Sequence, residues 1–220
     1  MKRLRRNKRH QLTVPVIVAA GTVILLALSA MALLLFRNAN PHYGFARSIP
    51  EEEQQLRLKL VEAAESWLGS NEQDNSHKDI IDFYNQQDPL PQGYQVKYTD
   101  EWCATFVSAA ALKAELTQII PTECGCQRQI GLFQEIGSWE EADDYLPLPG
   151  DIIYYSRNNQ DPFKDCIGWA DHVGIVVGTS GNRIKVIEGN YGDKVDYRYL
   201  KVDATIIRGF GIPDYRSLAE

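Results

Sequence analysis

The feature that most constrains this chain is a change of hydrophobic period near Asp151. Upstream, apolar residues recur at helical spacing. Downstream, DIIYYS, DHVGIVVG, NRIKVIEGN and TIIRGFG are short β-branched and aromatic runs separated by turn residues. Helices first and strands after predict an α+β domain whose helices pack on a small antiparallel sheet. EEEQQLRLKLVEAAESWLG puts Leu56, Leu60, Ala63, Ala64 and Trp67 on one stripe, with acids in the first turn and Gly69 as a stop. In SHKDIIDFYNQQ, Ser76 and Asp79 have capping-box spacing and Ile80, Ile81 and Tyr84 face inward. TDEWCATFVSAAALKAEL reads as an apolar helix with Asp100 as N-cap, and QRQIGLFQEIG as a further helix with Ile130, Phe133 and Ile136 on one face.

The front of the chain is built differently. MKRLRRNKRH carries six Lys/Arg and no acid, and an apolar run follows from Leu12 to Phe36. That length suffices to cross a bilayer. Ala30-Met31-Ala32 offers a signal-peptide cleavage site, but the apolar run continues past it, which favours an uncleaved anchor. On this reading residues 1–11 are a cytoplasmic basic segment, 12–36 a transmembrane helix, 37–50 a linker rich in turn formers, and 51–220 one globular domain outside the membrane. A hydrophobic content of 44% over 220 residues fits a single sizeable core. Beyond residue 36, 17 basic residues face 29 acidic ones, a net −12. An acidic exterior argues against nucleic-acid binding, leaving the basic cluster as a topology signal that can also meet anionic lipid.

Cys103 falls in the first turn of its helix, where free backbone N–H groups and the helix dipole favour a thiolate. That is a nucleophile's placement, provided a base lies nearby. His172 opens the strand DHVGIVVG, and Glu188 ends the next one, with Asn190 two residues beyond. A connecting loop symmetric about Ser180 sets His172 directly opposite Glu188, whereas a two-residue turn at Ser180-Gly181 sends Glu188 to the other face. The Cys103 amide is the natural first oxyanion donor; Asn190, Tyr98 and Asn85 are candidates for the second. His77 is expected in an exposed first turn, away from any catalytic role. Cys124, Cys126 and Cys166 can supply one disulfide with one thiol left over. Cys124-x-Cys126 has the wrong spacing for a zinc site, NEQDNSHKD lacks the pattern of a calcium loop, and no cofactor is expected.

WCATFVSAAA, PLPGDIIYY, DHVGIVVG and VIEGN, in this order, resemble the CHAP amidohydrolase/peptidases, a papain-like branch of the NlpC-type cell-wall enzymes. The resemblance runs from about Glu51 to Arg216. It implies a papain-like fold with Cys103 as nucleophile, His172 as base, Glu188 as orienting acid and Asn190 as the nearby polar residue. It also implies peptidoglycan as substrate, cut as an N-acetylmuramoyl-L-alanine amidase or as an endopeptidase. Many relatives have Gly-Gln before the cysteine, where Glu101-Trp102 stands here, and some bind calcium beside it. The resulting expectation is an external, membrane-anchored cysteine hydrolase of a Gram-positive wall, with envelope-complex partners. The alternative is a non-catalytic wall-binding or assembly module, with His172 away from Cys103 or the cleft closed by residues 157–170. Acyl transfer to an amine is the third reading.

Overall fold

The computed structural model describes residues 49–142, 144–157 and 168–219. The expected basic segment 1–11, the span 12–36, nearly all of the linker, most of the loop 157–170 and Cys166 lie outside the described residues. By its contacts the chain divides into Met1–Pro41 and His42–Glu220, and every described residue belongs to the second unit. Among the described residues no helix is long and apolar enough to cross a membrane.

Helices α1 (Glu51–Glu65), α2 (Lys78–Asn85), α3 (Cys103–Lys113) and α4 (Cys126–Glu135) precede most of the sheet, and a short α5 (Arg216–Ala219) closes the chain. The strands are β1 (Trp139–Glu140), β2 (Ile152–Tyr155), β3 (His172–Ser180), β4 (Arg183–Glu188), β5 (Asp196–Lys201) and β6 (Ile207–Gly211). They form one antiparallel sheet in the order β1-β6-β2-β3-β4-β5. The α+β order predicted from the periodicity is present. Strand β5, from DYRYLK, was not expected.

Helix α3 is apolar on every side, and all residues from Cys103 to Ala111 are buried, as befits a helix enclosed by its neighbours. Phe106, Val107 and Ala110 share a core with Tyr154, Val173, Ile175, Val177 and Ile187 from one face of the sheet. Fully burying a side chain such as Phe106 stabilises the fold by roughly 1.5–3 kcal/mol. The other face carries Ile153, Tyr155, Val176, Ile184, Val186 and Phe210. The alternation of β3 puts His172 and Gly174 on this second face.

Local expectations fail where side chains have better partners. Trp102, not Asp100, occupies the N-cap of α3. Asp100 accepts bonds from the Tyr94 hydroxyl (2.7 Å) and the Lys97 amide (2.8 Å), closing the preceding turn. Ser76 donates to Asp74 and accepts from the Asn71 amide, so it does not cap α2. His77 is buried rather than exposed, its ring nitrogens 3.2 and 3.3 Å from the carbonyls of Asn71 and Tyr98. Ile136 follows α4 and is exposed.

The β3–β4 register also departs from the symmetric loop. Ser180 pairs with Arg183, leaving Gly181-Asn182 as a two-residue turn with Gly181 at φ 56°. Carried along the whole hairpin, that pairing would put Glu188 on the face opposite His172. A β-bulge between Val176 and Gly178 adds one residue to β3, so that Val176 pairs with Val186 and Ile175 with Ile187. The bulge returns Glu188 to the face of His172, as a diagonal rather than a direct neighbour. Gly174 lies between them, and a Cβ there would sit 2.7 Å from Glu188 Cγ.

Candidate active site

The residue before the nucleophile position is pinned first. The Trp102 indole N–H donates to Glu72 (2.9 Å), and the ring packs beside the buried His77, at a centroid distance of 5.8 Å. His77 therefore supports the start of α3. The next residue, Cys103, is buried at the helix N-terminus with its Sγ 3.6 Å from Cys126 Sγ. Cys126 is itself the first residue of α4. Gln127 accepts a bond from the Ala170 amide (3.1 Å), tying the start of α4 to the segment that leads into His172.

His172 Nε2 lies 2.8 Å from Glu188 Oε2 in a buried pair. The second ring nitrogen, Nδ1, is thereby left for the Cys103 side. Tyr155, the cross-strand partner of His172, stacks its ring on the imidazole with centroids 5.8 Å apart. Arg198 Nε donates to both Glu188 oxygens, at 2.7 and 3.0 Å, with its guanidinium 4.1 Å from the Tyr191 ring centroid. Carboxylate, imidazole and thiol thus form a chain that begins at an arginine.

Electrostatics follow from this chain. Hydrogen bonding from Cys126 is the largest influence on Cys103; burial opposes it, and His172 and the Ala104 amide reinforce it. The Cys103 thiol is held well below its ordinary range. Burial works against an imidazolium at His172, but the contacts with Cys103 and Glu188 prevail and raise its pKa to about 9. The two shifts together favour a thiolate–imidazolium pair, a competent nucleophile with a proton donor beside it. The non-catalytic alternative expected either these two residues apart or the cleft closed by residues 157–170, most of which lie outside the described residues.

The groove above Cys103 is open and includes Glu101, Cys126, Arg128, Asp171 and the largely exposed Trp169 in its lining. Of the candidates for a second oxyanion donor, Tyr98 gives its hydroxyl proton to Asp82 (2.7 Å), and Asn85 uses its amide to hold the Val96 backbone. Asn190 donates to Glu101 on the groove rim (2.8 Å). Cys103, Cys124 and Cys126 are free thiols, so Cys124 and Cys126 are not joined to each other. Among the described residues no group of three or more His, Cys, Asp or Glu could hold a metal ion.

Sequence reasoning missed Arg198, Tyr155 and the approach of Cys126. The first was legible in principle: DYRYLK has a period of two that places Arg198 with Asp196 and Leu200 on one face. The other two depend on register and on how two helix starts meet in space.

Residues 93–190 match the family model of the CHAP domain. The matched stretch holds Cys103, His172, Glu188 and Asn190; α1, Arg198 and the last strands lie outside it. It is narrower than the Glu51–Arg216 span of the sequence resemblance. No curated protein matches the chain. Among solved structures, "The crystal structure of Ly7917" matches at a TM-score of 0.42 and 13% identity, over 72% of this chain and 62% of that one. "The crystal structure of Ly7917 with the hydrolyzing product of MDP" matches at a TM-score of 0.42 and 15% identity, over 71% of this chain. The chain thus spans 62% of the length of each of these neighbours.

Proposed function

We propose that this chain is a cysteine hydrolase that cleaves amide bonds of peptidoglycan outside the cytoplasmic membrane, as an N-acetylmuramoyl-L-alanine amidase or an endopeptidase. The observation that carries the chemistry is the Cys103 thiol at a helix start, interacting with a His172 whose other nitrogen is bonded to Glu188. The CHAP match supports the substrate class. The basic cluster and the apolar run from Leu12 to Phe36 support an anchor that leaves the N-terminus cytoplasmic, which suits local wall remodelling on a Gram-positive surface.

In this mechanism the Cys103 thiolate attacks the amide carbon, and the backbone N–H groups at the start of α3 stabilise the oxyanion. The His172 imidazolium gives its proton to the departing amine, leaving a thioester on Cys103. His172, now neutral, takes a proton from water as it attacks the thioester, and the tetrahedral intermediate collapses to acid and free thiolate. Glu188 keeps the ring in one tautomer and orientation throughout, and Arg198 holds Glu188.

The test is mass spectrometry of products released from purified peptidoglycan by the full-length protein in water enriched in heavy oxygen. The expected result is a cut amide whose new carboxylate carries solvent oxygen. Cys103→Ala and His172→Ala should each lower the rate by about 10³-fold or more, with unchanged thermal unfolding. Undiminished release by Cys103→Ala overturns the nucleophile assignment; products capped by an amine identify transfer instead of hydrolysis.

A further inference from the structure

Two of the three described thiols meet at the site, and the mechanism above needs only one as nucleophile. Cys126 is held in place by its helix: it lies on the buried face of α4 with Gln129, Ile130 and Phe133. Its sulfur is 3.6 Å from that of Cys103, so closing a bond of about 2.05 Å requires an approach of only about 1.5 Å. Both residues belong to the lining of the open groove. Their proton affinities are split. Cys103 is held low, while Cys126 is pushed well above its ordinary value, first by its hydrogen bond to Cys103 and then by burial. One thiol is therefore ready to attack, and the other keeps its proton until a partner appears. Cys124, two residues before Cys126, is pushed up to about 11 by burial and by Glu123, and its sulfur is directed to the Glu123 carboxylate.

We propose that Cys103 and Cys126 form a peroxide-responsive pair, Cys126 being the resolving thiol that converts oxidised Cys103 into a reversible disulfide. The Cys103 thiolate attacks one oxygen of hydrogen peroxide, the O–O bond breaks, and hydroxide leaves and takes up a proton as water. Cys103 is then a sulfenic acid, with sulfur oxidised by two electrons and the peroxide reduced by two. The Cys126 sulfur attacks the sulfenic sulfur; the S–O bond breaks, the S–S bond forms, and the thiol proton leaves with the hydroxyl as a second water. The disulfide blocks the nucleophile and joins the starts of α3 and α4. External thiol restores both groups. The loss of hydrolysis rests on the function proposed above; the disulfide itself does not.

The experiment treats full-length protein with hydrogen peroxide and reads intact mass, peptide maps and peptidoglycan release. It uses wild type, Cys126→Ser, and a Cys124→Ser/Cys166→Ser chain whose remaining thiols are Cys103 and Cys126. In wild type and in the double variant the expected result is a loss of about 2 Da, a peptide linking 103 to 126, and recovery of mass and activity with dithiothreitol. In Cys126→Ser, Cys103 should instead gain about 32 Da as sulfinic acid, with no recovery. The proposal is overturned if wild-type Cys103 reaches sulfinic acid as fast as in Cys126→Ser while Cys126 stays open to alkylation. The wild-type peptide map decides this even if Cys126→Ser folds poorly. A linked peptide in a chain that never cleaves peptidoglycan would keep the thiol pair and remove the hydrolase reading.

Discussion

Asp151 and Glu188 are both buried against this sheet and both receive an arginine, yet their remaining bonds lead to different ends. Asp151 accepts from Arg57 (2.9 Å), the Tyr145 hydroxyl (2.7 Å) and the Leu148 amide (2.8 Å). Arg57 is completed by Glu53, the Pro149 carbonyl and the face of Tyr215. That cluster is closed; it ties α1 to the turn that enters β2. Burial pushes the Asp151 carboxyl up, and Arg57 is the main opposing influence. At Glu188 the arginine donates to both oxygens, and one of them also meets a histidine that in turn faces a thiol. The same pairing serves as a rivet where every bond ends in a structural group, and as a lever where the last bond ends in a reactive one.

The comparison breaks first at the rivet. Arg57→Met leaves a buried carboxylate unpaired and should cost about 3–5 kcal/mol in denaturant unfolding, while the folded fraction keeps its rate per molecule. A loss of rate at full folding would show that the rivet also shapes the site. Arg198→Gln should do the reverse. Removing the charge-assisted bonds to Glu188 is worth about 1.5–3 kcal/mol, or roughly 10–100-fold in kcat/KM, and Arg198→Lys should recover part of it. Equal activity in Arg198→Gln would mean Glu188 orients His172 unaided.

Gly174→Ala tests the space between the two partners. Its Cβ would meet Val186 Cγ1 at 2.6 Å and Glu188 Cγ at 2.7 Å. The expected cost is about 1–3 kcal/mol of stability, together with reduced kcat, because relief of the clash moves the carboxylate. The smallest effect concerns pH. As His172 loses its proton through its pKa of about 9, kcat/KM should fall. The stability that His172 contributes runs the same way: its folded pKa is raised from 6.5, so the contribution is complete below that value and disappears as pH rises through about 9. A rate that stays flat to pH 10 or so would argue against an imidazolium in the reactive form.

How much of this was legible in the chain depended on the range of the interaction. The helix starting at Cys103 follows from CATFVSAAALK, and the strands from IIYY, HVGIVV and RIKVIE, because period and composition are local. Cys103, His172 and Glu188 were legible as a set because each sits at the end of an element, where a side chain is free to meet others. Asp100 and Ser76 were misread as caps because Tyr94, Lys97, Asn71 and Asp74 compete for them. His77 looked solvated among polar neighbours, although two backbone carbonyls and an indole enclose it. Arg57 lies outside the apolar stripe read for its helix and gave no sign that Asp151 would bury it, since the two are 94 residues apart.

The bulge in β3 carries a consequence for how this hairpin tolerates length changes. It works as a phase correction: the turn at Gly181-Asn182 sets one phase, and the added residue near Val177 resets it before His172 is reached. Deleting Val177 removes the extra residue but keeps Val176 opposite Val186 and Ile175 opposite Ile187, so His172 stays on the face of Glu188. Deleting Val173, between those pairs and His172, leaves Cys103, His172, Glu188 and Arg198 all present but turns the imidazole to the other face of the sheet. Substitutions keep the count and leave the phase alone, so a length change between the bulge and His172 is the change that reaches the site.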